Sequence, residues 1–384
     1  MEQIMGQILD TFTAQTRADA IPLVISGAAR EGIKANDMVF PQPKSLFVDV
    51  FEKLANARDL EYDEAFESFK AMCTGRMSPA CIGTFLMGLK TKGETPLELL
   101  CAVRALLEEA VPVPEIAAPH IDVVGTGGDR THSFNCSTAT CLTLAAMGYK
   151  VTKHGNRSVS SISGSADVLE AVGVPLDLPA PRLMEELERS NFVFLFAPLY
   201  HPAFKRIAPV RKEIGAHTIF NVIGPLLNPT RPTHQLLGVP GGRYVSLLGE
   251  TMAMLGVKRG AVVFGAGGFD EVSPCGKTQV MWVRDGWTKP GILDPESVGM
   301  KLHDPREVSV RDPDEAVDVF LEALRGSGRP AVRDMLVLNT ALALTLLEDG
   351  LTFPAAVERA KEGVESGVAG KKFFGKGRAY ALYA

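Results

Sequence analysis

The sequence predicts an α/β fold, in which a small all-helical N-terminal domain precedes a larger domain with a mostly parallel central sheet flanked by helices. Two observations predict it. Residues 45–112 have the punctuation of successive helices, and beyond a stiff, Pro-containing connector at 111–114 short β-rich runs alternate with helical stretches. We therefore expect an N-terminal extension at 1–44, a helical domain at 45–115 and an α/β domain at 116–384.

The helical domain has explicit start and stop signals. Ser78 precedes Pro79, which suits an N-cap followed by a proline in the first turn, where the missing N–H costs nothing. Gly93 then ends this helix about four turns later. Thr95 and Glu98 have the spacing of a capping box, so a further helix begins there.

Strands are expected where short apolar runs are rich in β-branched and aromatic residues, at 121–124, 151–152, 192–196, 217–222, 261–264 and 280–283. The pattern gives no order for these strands within the sheet. No internal repeat of roughly 20 to 50 residues is evident.

Composition excludes several classes of protein. The 384 residues are 46% hydrophobic and 22% charged, enough apolar surface for a large core, and the net charge of -5 disfavours a general nucleic-acid binder. The first twelve residues lack the pattern of a secretory signal, and no apolar run approaches the ~20 residues of a membrane-spanning helix. We expect a cytoplasmic protein that binds neither nucleic acid nor membrane.

The cysteines indicate neither a zinc site nor a disulfide framework, because none has C-x-x-C spacing. We expect reduced and mostly buried thiols at Cys73, Cys81, Cys101, Cys136, Cys141 and Cys275.

A glycine-rich segment, GTGGD at 125–129, follows the first predicted strand. Three glycines in four residues permit positive φ and a close approach of backbone N–H groups to an anion. The segment is neither a Walker loop nor a dinucleotide-binding loop, since no Gly-Lys-Ser/Thr follows and Arg130 stands where a third glycine is needed. Taken alone, it is equally typical of a tight turn.

A second polar segment, SFNCST at 133–138, precedes a small, apolar stretch that reads as a helix. Its hydroxyl and amide groups could simply cap that helix. The same helix start could receive a phosphate or diphosphate, because its N–H groups and dipole favour an anion. The short distance in sequence from Gly125 favours the second interpretation.

The third segment, KHGNRSVSS at 153–161, is dense in hydrogen-bond donors. Two fixed cations, a histidine, an amide and three hydroxyls within nine residues are typical of a loop that binds an anion through charge-assisted bonds. The alternative is an exposed charge cluster.

A fourth segment places Asp270 and Glu271 after a predicted strand and a glycine-rich turn. Adjacent carboxylates beside a phosphate site are suitable Mg²⁺ ligands, although such a pair is otherwise ordinary surface charge.

These four segments, together with YHP at 200–202 and APVR at 208–211, resemble in this order the anthranilate phosphoribosyltransferase family. The resemblance runs from about residue 46 to the C-terminus and includes GSADVLE at 164–170 and TIFNVIGPLLNP at 218–229. It implies a pentosyltransferase of tryptophan biosynthesis, which uses Mg²⁺, two ions per subunit, and forms a homodimer through the helical domain. Its substrates would be anthranilate and phosphoribosyl diphosphate.

The resemblance also implies the site residues. Ser137, Asp270 and Glu271 would bind the metal, and catalytic roles would fall to Asp129, Lys153, His154 and Arg211. The substrates would contact Gly125, Gly128, Asp129, Ser133, Asn135, Cys136, Ser137, Thr138, Lys153, His154, Gly155, Asn156, Arg157, Ser158, Val159, Ser160, Ser161, Ser165, His201 and Arg211.

Two features depart from the family pattern. Cys136 replaces a larger apolar residue, and residues 265–268 lack the acidic residue that often precedes the Asp-Glu pair, which leaves the affinity for the second metal ion open.

The reaction itself needs little acid–base chemistry. The lone pair of an aromatic amine is free at neutral pH, so the amine needs orientation, which Arg211 can supply through the anthranilate carboxylate. His154 could take the proton or could only stabilise its loop, and the sequence favours neither role.

Two other functions remain as alternatives. A pyrimidine nucleoside phosphorylase would also bind phosphate and a ribosyl group, but it does not need Asp270 and Glu271. A binding protein that has lost the activity would show eroded metal and anthranilate residues and a basic face, whereas this chain retains Arg211 and both carboxylates.

Overall fold

The structure, a computed structural model, describes residues 47–128, 131–158, 162–375 and 377. Four helices come first: α1 (Val48–Ala55), α2 (Tyr62–Thr74), α3 (Pro79–Lys92) and α4 (Pro96–Glu108). The extension predicted at 1–44 lies outside the described residues.

Strands and helices then alternate. In chain order they are β1 (His120–Gly125), α5 (Cys136–Ala146), β2 (Lys150–Gly155), α6 (Ser165–Ala171), α7 (Leu183–Ser190), β3 (Phe192–Phe196), α8 (Ala197–Tyr200), α9 (Phe204–Ile214), β4 (His234–Gly238), α10 (Arg243–Met254), β5 (Arg259–Phe264), β6 (Thr278–Arg284), β7 (Trp287–Leu293), α11 (Pro313–Leu324), α12 (Pro330–Leu347), α13 (Phe353–Glu365) and α14 (Val368–Phe373). Short 3₁₀ helices occupy Ala180–Arg182, Ile219–Asn221, Gly224–Leu227, Pro295–Val298 and Pro305–Glu307.

All seven of these strands form one sheet in the order β3-β2-β1-β4-β5-β6-β7. Strands β1 to β5 are parallel to one another, and β6 and β7 continue the sheet from β5 with antiparallel pairing. The predicted fold class, helical domain plus mostly parallel α/β domain, is confirmed.

The strand predicted at 217–222 is wrong. The segment forms a 3₁₀ turn at Ile219–Asn221, which the Asn221 side chain closes by accepting a hydrogen bond from the Thr218 N–H at 2.9 Å. Ile219 and Phe220 pack into the core shared with the helical domain instead of entering the sheet. The apolar and β-branched residues of this segment correctly indicated that it is buried. They did not determine its backbone conformation, which depends on the tertiary contacts.

Two strands of the sheet, β4 and β7, were not predicted from the sequence. Strand β4 has the sequence HQLLG, in which only two residues are apolar, yet it is buried between β1 and β5. Strand β7 contains Pro290 and Gly291, which normally argue against a strand. Since β7 lies at the edge of the sheet, a proline there removes no hydrogen bond that a further strand would need.

The predicted helix boundaries in the helical domain are confirmed. Ser78 Oγ accepts from the Cys81 N–H at 3.3 Å, and Gly93 follows the last turn of α3 with φ of 90°. Thr95 and Glu98 form the expected capping box, with the Glu98 carboxylate accepting from the Thr95 N–H at 3.0 Å.

Two large apolar cores lie on either side of the sheet. One joins α1 to α4 with α9, α10 and side chains of β4 and β5, including Leu237 and Val262. The other packs α5 and the C-terminal helices against side chains such as Val123 and Val263 on the opposite face. Alternate strand residues point to opposite faces, so the sheet is covered on both sides.

Helix α12 is long and apolar enough to cross a membrane by length and composition, but 78% of its apolar window is buried inside the protein. It contacts α5, α13 and β4 as a helix of the core. The six cysteines are free, and Cys73, Cys101, Cys136 and Cys141 are buried. Burial raises the pKa of Cys73 and Cys141 to about 12, which keeps these thiols protonated.

Candidate active site

The predicted motifs meet at one edge of the sheet. The carboxyl ends of β1, β2 and β4 lie side by side, because β1 pairs with both of its neighbours in parallel. The glycine-rich segment follows β1, the donor-rich segment follows β2, and the Asp270–Glu271 pair follows β5 on the other side of β4. Such a junction of loops is where open α/β sheets bind ligands.

Asp270 lies directly on the glycine-rich segment. Its Oδ2 accepts from the Gly127 N–H at 2.9 Å, and the residue is only 7% exposed. A Cβ at Gly125 would stand 2.2 Å from that Oδ2, and a Cβ at Gly238 would stand 1.4 Å from the Asp270 carbonyl oxygen. The missing side chains at the ends of two strands therefore make the space that the Asp270 carboxylate and backbone occupy.

The start of α5 does not use its polar side chains as caps. Asn135 is the N-cap residue, yet its amide donates to the Ser163 carbonyl at 3.0 Å across the site. Ser137 Oγ accepts from Lys153 Nζ at 3.3 Å. The first-turn N–H groups have no intrahelical acceptors, so the helix start retains its capacity to bind an anion.

Lys153 is 1% exposed and lies beneath this helix start. Its Nζ donates to the Val123 carbonyl at 2.7 Å as well as to Ser137, and thus ties β1, β2 and α5 together. Burial raises the pKa of the neighbouring Cys136 thiol, and the negative charges of Glu271 and Asp270 raise it further. The buried cation and both carboxylates are therefore within electrostatic reach of one side chain.

The donor set fits Mg²⁺. Among the described residues no cluster of three or more His, Cys, Asp and Glu side chains occurs, so protein atoms alone do not provide a closed metal cage. Magnesium commonly binds through one or two carboxylates while substrate phosphates and water complete its shell. Asp270, seated in the space left by Gly125, and its neighbour Glu271 match that arrangement, with the Ser137 hydroxyl as a further oxygen donor.

Arg157 does not stand free to clamp a phosphate in this structure. Its guanidinium donates to Glu170 at 2.7 and 2.9 Å and to Asp167 at 3.1 Å, and it lies 5.6 Å from the centroid of the Phe196 ring. Asp167 Oδ2 also accepts from the Ser158 N–H at 3.0 Å and the Gly164 N–H at 2.9 Å. These bonds join both ends of the 158–164 loop to α6.

The remaining predicted residues occupy different depths. Thr138 and Cys136 are fully buried in α5, beneath the site. Asn156 is exposed, and its carbonyl accepts from Ser165 Oγ at 3.3 Å; Ser133 bridges to Ser309. Gly128 has φ of 80°, which favours glycine. Asp129, Val159, Ser160 and Ser161 lie outside the described residues.

His154 and His201 form a buried pair. Their rings meet edge to face with centroids 5.2 Å apart. Burial lowers the pKa of His154 to about 3, helped by repulsion from His201, and burial lowers the pKa of His201 to about 4. Both rings are therefore neutral near pH 7, and a His154 with so low a pKa is a weak base before substrate binds.

A row of rings connects this pair to Arg211. Phe204 lies 5.9 Å from His201 and 5.7 Å from Phe220, and the Arg211 guanidinium lies 5.3 Å from the Phe220 ring centroid. Burial lowers the pKa of Arg211, and among the described residues no carboxylate pairs with it. A half-buried, unpaired guanidinium is suited to a carboxylate ligand. The sequence analysis missed Phe204 and Phe220 because aromatic residues at such spacing are usually core.

Asp122 is a second functional candidate that the sequence analysis missed. It is fully buried in β1, its Oδ2 accepts from Asn228 Nδ2 at 2.9 Å and the His154 N–H at 3.4 Å, and burial raises its pKa to about 7. Its signal in the sequence was a single charged residue inside an apolar strand, IDVV. Through these bonds Asp122 fixes the backbone at the base of the donor-rich loop.

Comparison with known proteins agrees with this architecture. Residues 48–110 match the helical bundle domain of a glycosyl transferase family, and residues 117–370 match its a/b domain. The chain therefore belongs to this glycosyl transferase family.

Within that family the chain is similar to anthranilate phosphoribosyltransferases. It is 48% identical to the enzyme of Nitratidesulfovibrio vulgaris over 84% of this chain and 97% of that protein, and 44% identical to that of Aquifex aeolicus over 84% and 94%. The crystal structure of the Thermus thermophilus enzyme has a TM-score of 0.78 and 36% identity, covering 84% of this chain and 96% of that one. The Saccharomyces cerevisiae enzyme in complex with PRPP and Mg has a TM-score of 0.76 and 25% identity, covering 85% and 95%.

Proposed function

We propose that this protein transfers the 5-phosphoribosyl group of phosphoribosyl diphosphate to the amine of anthranilate, giving N-(5-phosphoribosyl)anthranilate and diphosphate. The observation that supports it most strongly is the position of the Asp270 carboxylate. It is held against the glycine-rich segment, in the space left by the missing side chain of Gly125. A phosphorolytic enzyme would have no use for this metal-binding arrangement. Identity of 44% and 48% to enzymes of this name supports the same reaction.

The residues divide the work between leaving group and nucleophile. The start of α5 and the 153–158 segment bind the diphosphate, and Lys153 holds the Ser137 hydroxyl in place from below. Arg211 orients anthranilate through its carboxylate, so that the amine faces the anomeric carbon. As the C–N bond forms and the C–O bond to diphosphate breaks, the amine loses one proton, to water or to His154.

Mg²⁺ at Ser137, Asp270 and Glu271, when bound, neutralises charge on the diphosphate. Two ions per subunit and a homodimer formed through the helical domain follow from the resemblance to the family, as does a place in tryptophan biosynthesis. A cytoplasmic location rests on the sequence pattern alone.

The test is the loss of anthranilate fluorescence when purified protein is mixed with anthranilate and phosphoribosyl diphosphate. Consumption is expected with Mg²⁺ and is expected to stop with excess chelator. Release of base from a pyrimidine nucleoside in the presence of inorganic phosphate is the matched control for a phosphorylase. No consumption of anthranilate by folded protein in either mixture would refute the proposed reaction.

A further inference from the structure

A cavity of about 490 Å³ opens at the edge of the sheet opposite the site described above. Thr233 and Lys258, which immediately precede β4 and β5, form part of its wall, whereas the candidate active site lies beyond the carboxyl ends of the strands. The other side is formed by α2 and the end of α4, through Tyr62 and Arg104. The cavity is therefore separate from the residues that the transfer reaction uses.

The wall of this cavity is positively charged. Arg104, Arg231 and Lys258 line it, and the only carboxylate among the lining residues, Glu108, is already paired with Lys70. Within the described part of the chain, none of the three cations forms an ion pair. Three unpaired cations around one small cavity, in a protein of net charge -5, are a local feature that favours an anionic ligand.

All three cations are exposed along the wall, and the structure fixes the backbone at Arg231 and the side chain of Arg104. Arg231 has φ of 48°, a conformation that non-glycine residues seldom adopt. The turn is fixed because Asn228 Oδ1 accepts from the Thr230 N–H at 3.0 Å and the Thr230 hydroxyl at 2.7 Å, while the Arg231 N–H donates to the Asn228 carbonyl at 3.0 Å. Arg104 Nη1 donates to the Tyr62 hydroxyl at 3.2 Å. A side chain that is already held, as that of Arg104 is, binds an anion with less loss of entropy than a mobile one.

The rest of the wall is part polar, with Asn228, Thr233 and Gln235, and part apolar. Leu107, Leu226, Leu255 and Val257 line the cavity together with the Tyr62 ring. A free inorganic ion would leave these side chains uncovered, whereas an organic body would bury them. The lining thus combines a cationic rim with an apolar surface of the size that suits one small molecule.

We propose that this cavity binds a small amphipathic organic anion, with a carboxylate or phosphate group facing Arg231 and Lys258 and an apolar body against the leucines. The test uses the full chain and 8-anilinonaphthalene-1-sulfonate, an aromatic anion whose fluorescence rises on binding. Titrations contain saturating phosphoribosyl diphosphate and Mg²⁺, which fill the donor part of the active site, and are repeated with Arg211→Ala to detect any probe bound beside that guanidinium. N-phenyl-1-naphthylamine, which lacks the sulfonate, is the neutral comparison.

One anionic probe per chain is expected to bind, with the neutral probe weaker. Arg231→Gln and Lys258→Gln should each weaken the anionic probe about tenfold, as the loss of a charge-assisted contact implies. Lys289→Gln removes the same charge from the exposed edge strand β7 and should leave binding unchanged; melting temperatures confirm that each variant folds. Unchanged binding in both cavity variants, or equal binding of the neutral probe, would overturn the proposal.

Competition then identifies the head group. Phenyl phosphate and benzoate have the same ring and differ in their anionic group, so displacement of the probe by one of them assigns the site to phosphates or to carboxylates. Displacement by neither would also contradict the proposal.

Discussion

Gly125 matters because it has no side chain. The Asp270 carboxylate occupies the volume in which any other residue would place its Cβ. A methyl group at this position should push Asp270 away from the Gly127 N–H and so displace the proposed metal ligand, while the strand itself can accommodate alanine.

Gly125→Ala should therefore lower kcat/KM by about a hundredfold, the scale expected when a catalytic group is displaced by about an ångström. The Mg²⁺ concentration that gives half-maximal rate should rise as well. Gly83→Ala is the matched control, because a Cβ there meets nothing within 4 Å. Steady-state rates across a Mg²⁺ titration give the answer, and wild-type metal dependence in Gly125→Ala would remove Asp270 from the metal site.

Arg211 offers a guanidinium without a carboxylate partner among the described residues, half-buried and stacked on Phe220. Arg211→Ala should raise the KM for anthranilate roughly tenfold to a hundredfold, since a charge-assisted pair is lost. The KM for phosphoribosyl diphosphate should change little. Lys212→Ala, one residue further along α9 and exposed, is the control. Equal changes in both KM values would exclude this role for Arg211.

At the scale of the element, α6 organises the donor-rich loop through one carboxylate. Asp167 accepts from the N–H groups of Ser158 and Gly164, and these bonds, together with the Arg157 guanidinium, hold its pKa low even though burial opposes this. Ser158 and Gly164 are thereby both attached to the helix that follows. Arg157 pairs with Asp167 and Glu170 in this structure, and its contact with substrate stays a prediction.

Asp167→Asn should weaken these two bonds and so loosen the attachment of Ser158 and Gly164 to α6. We expect the KM for phosphoribosyl diphosphate to rise about tenfold, and trypsin to cut after Arg157 faster than in the wild type. Glu170→Gln is the comparison, with a smaller rise in KM, because among the described residues the Glu170 carboxylate bonds to Arg157 and not to the loop backbone. The two measurements together are decisive: wild-type cleavage and KM in Asp167→Asn would show that the carboxylate does not hold the loop.

At the scale of the whole molecule, several histidines are buried in the neutral form. Burial lowers the pKa of His154 to about 3, and of His201 and His234 to about 4. Unfolding returns each to a value near 6.5, so the unfolded chain binds more protons between pH 4 and 6.5. The free energy of unfolding should therefore be highest above pH 6.5 in this respect and should fall as the pH drops through that window.

His201→Asn tests this linkage. Each buried neutral histidine contributes a slope of about 1.4 kcal/mol per pH unit to the free energy of unfolding. The variant should therefore be less stable at pH 7, and its free energy of unfolding should fall less steeply, by about 1.4 kcal/mol per pH unit, between pH 6.5 and 4.5. Burial raises the pKa of Asp122 to about 7, so this carboxyl changes the free energy of unfolding with pH in the opposite direction. Because Asp122 is present in both the wild type and the variant, its contribution cancels in the comparison. His217→Asn, at an exposed position, is the control. Urea unfolding at several pH values measures the slopes, and parallel curves for wild type and His201→Asn would contradict the argument.

Local chemistry alone determined much of this protein. Helix caps such as Ser78 and Thr95, the fold class and the four polar or glycine-rich segments could be predicted from the sequence, because a cap or a glycine-rich turn depends on neighbours along the chain. The predicted roles of Arg211 and Asp270 came instead from the resemblance to the family.

Tertiary structure decided what depends on distant partners. It turned 217–222 from a predicted strand into a 3₁₀ turn, and it formed β4 from a weakly apolar segment between two stronger strands. It paired the Arg157 guanidinium with the carboxylates of Glu170 and Asp167, and it formed the hydrogen bond between Asp122 and Asn228, which are 106 residues apart in sequence. The sequence could not show these outcomes, because burial and long-range hydrogen bonds exist only once the sheet order and the packing of its two faces are set.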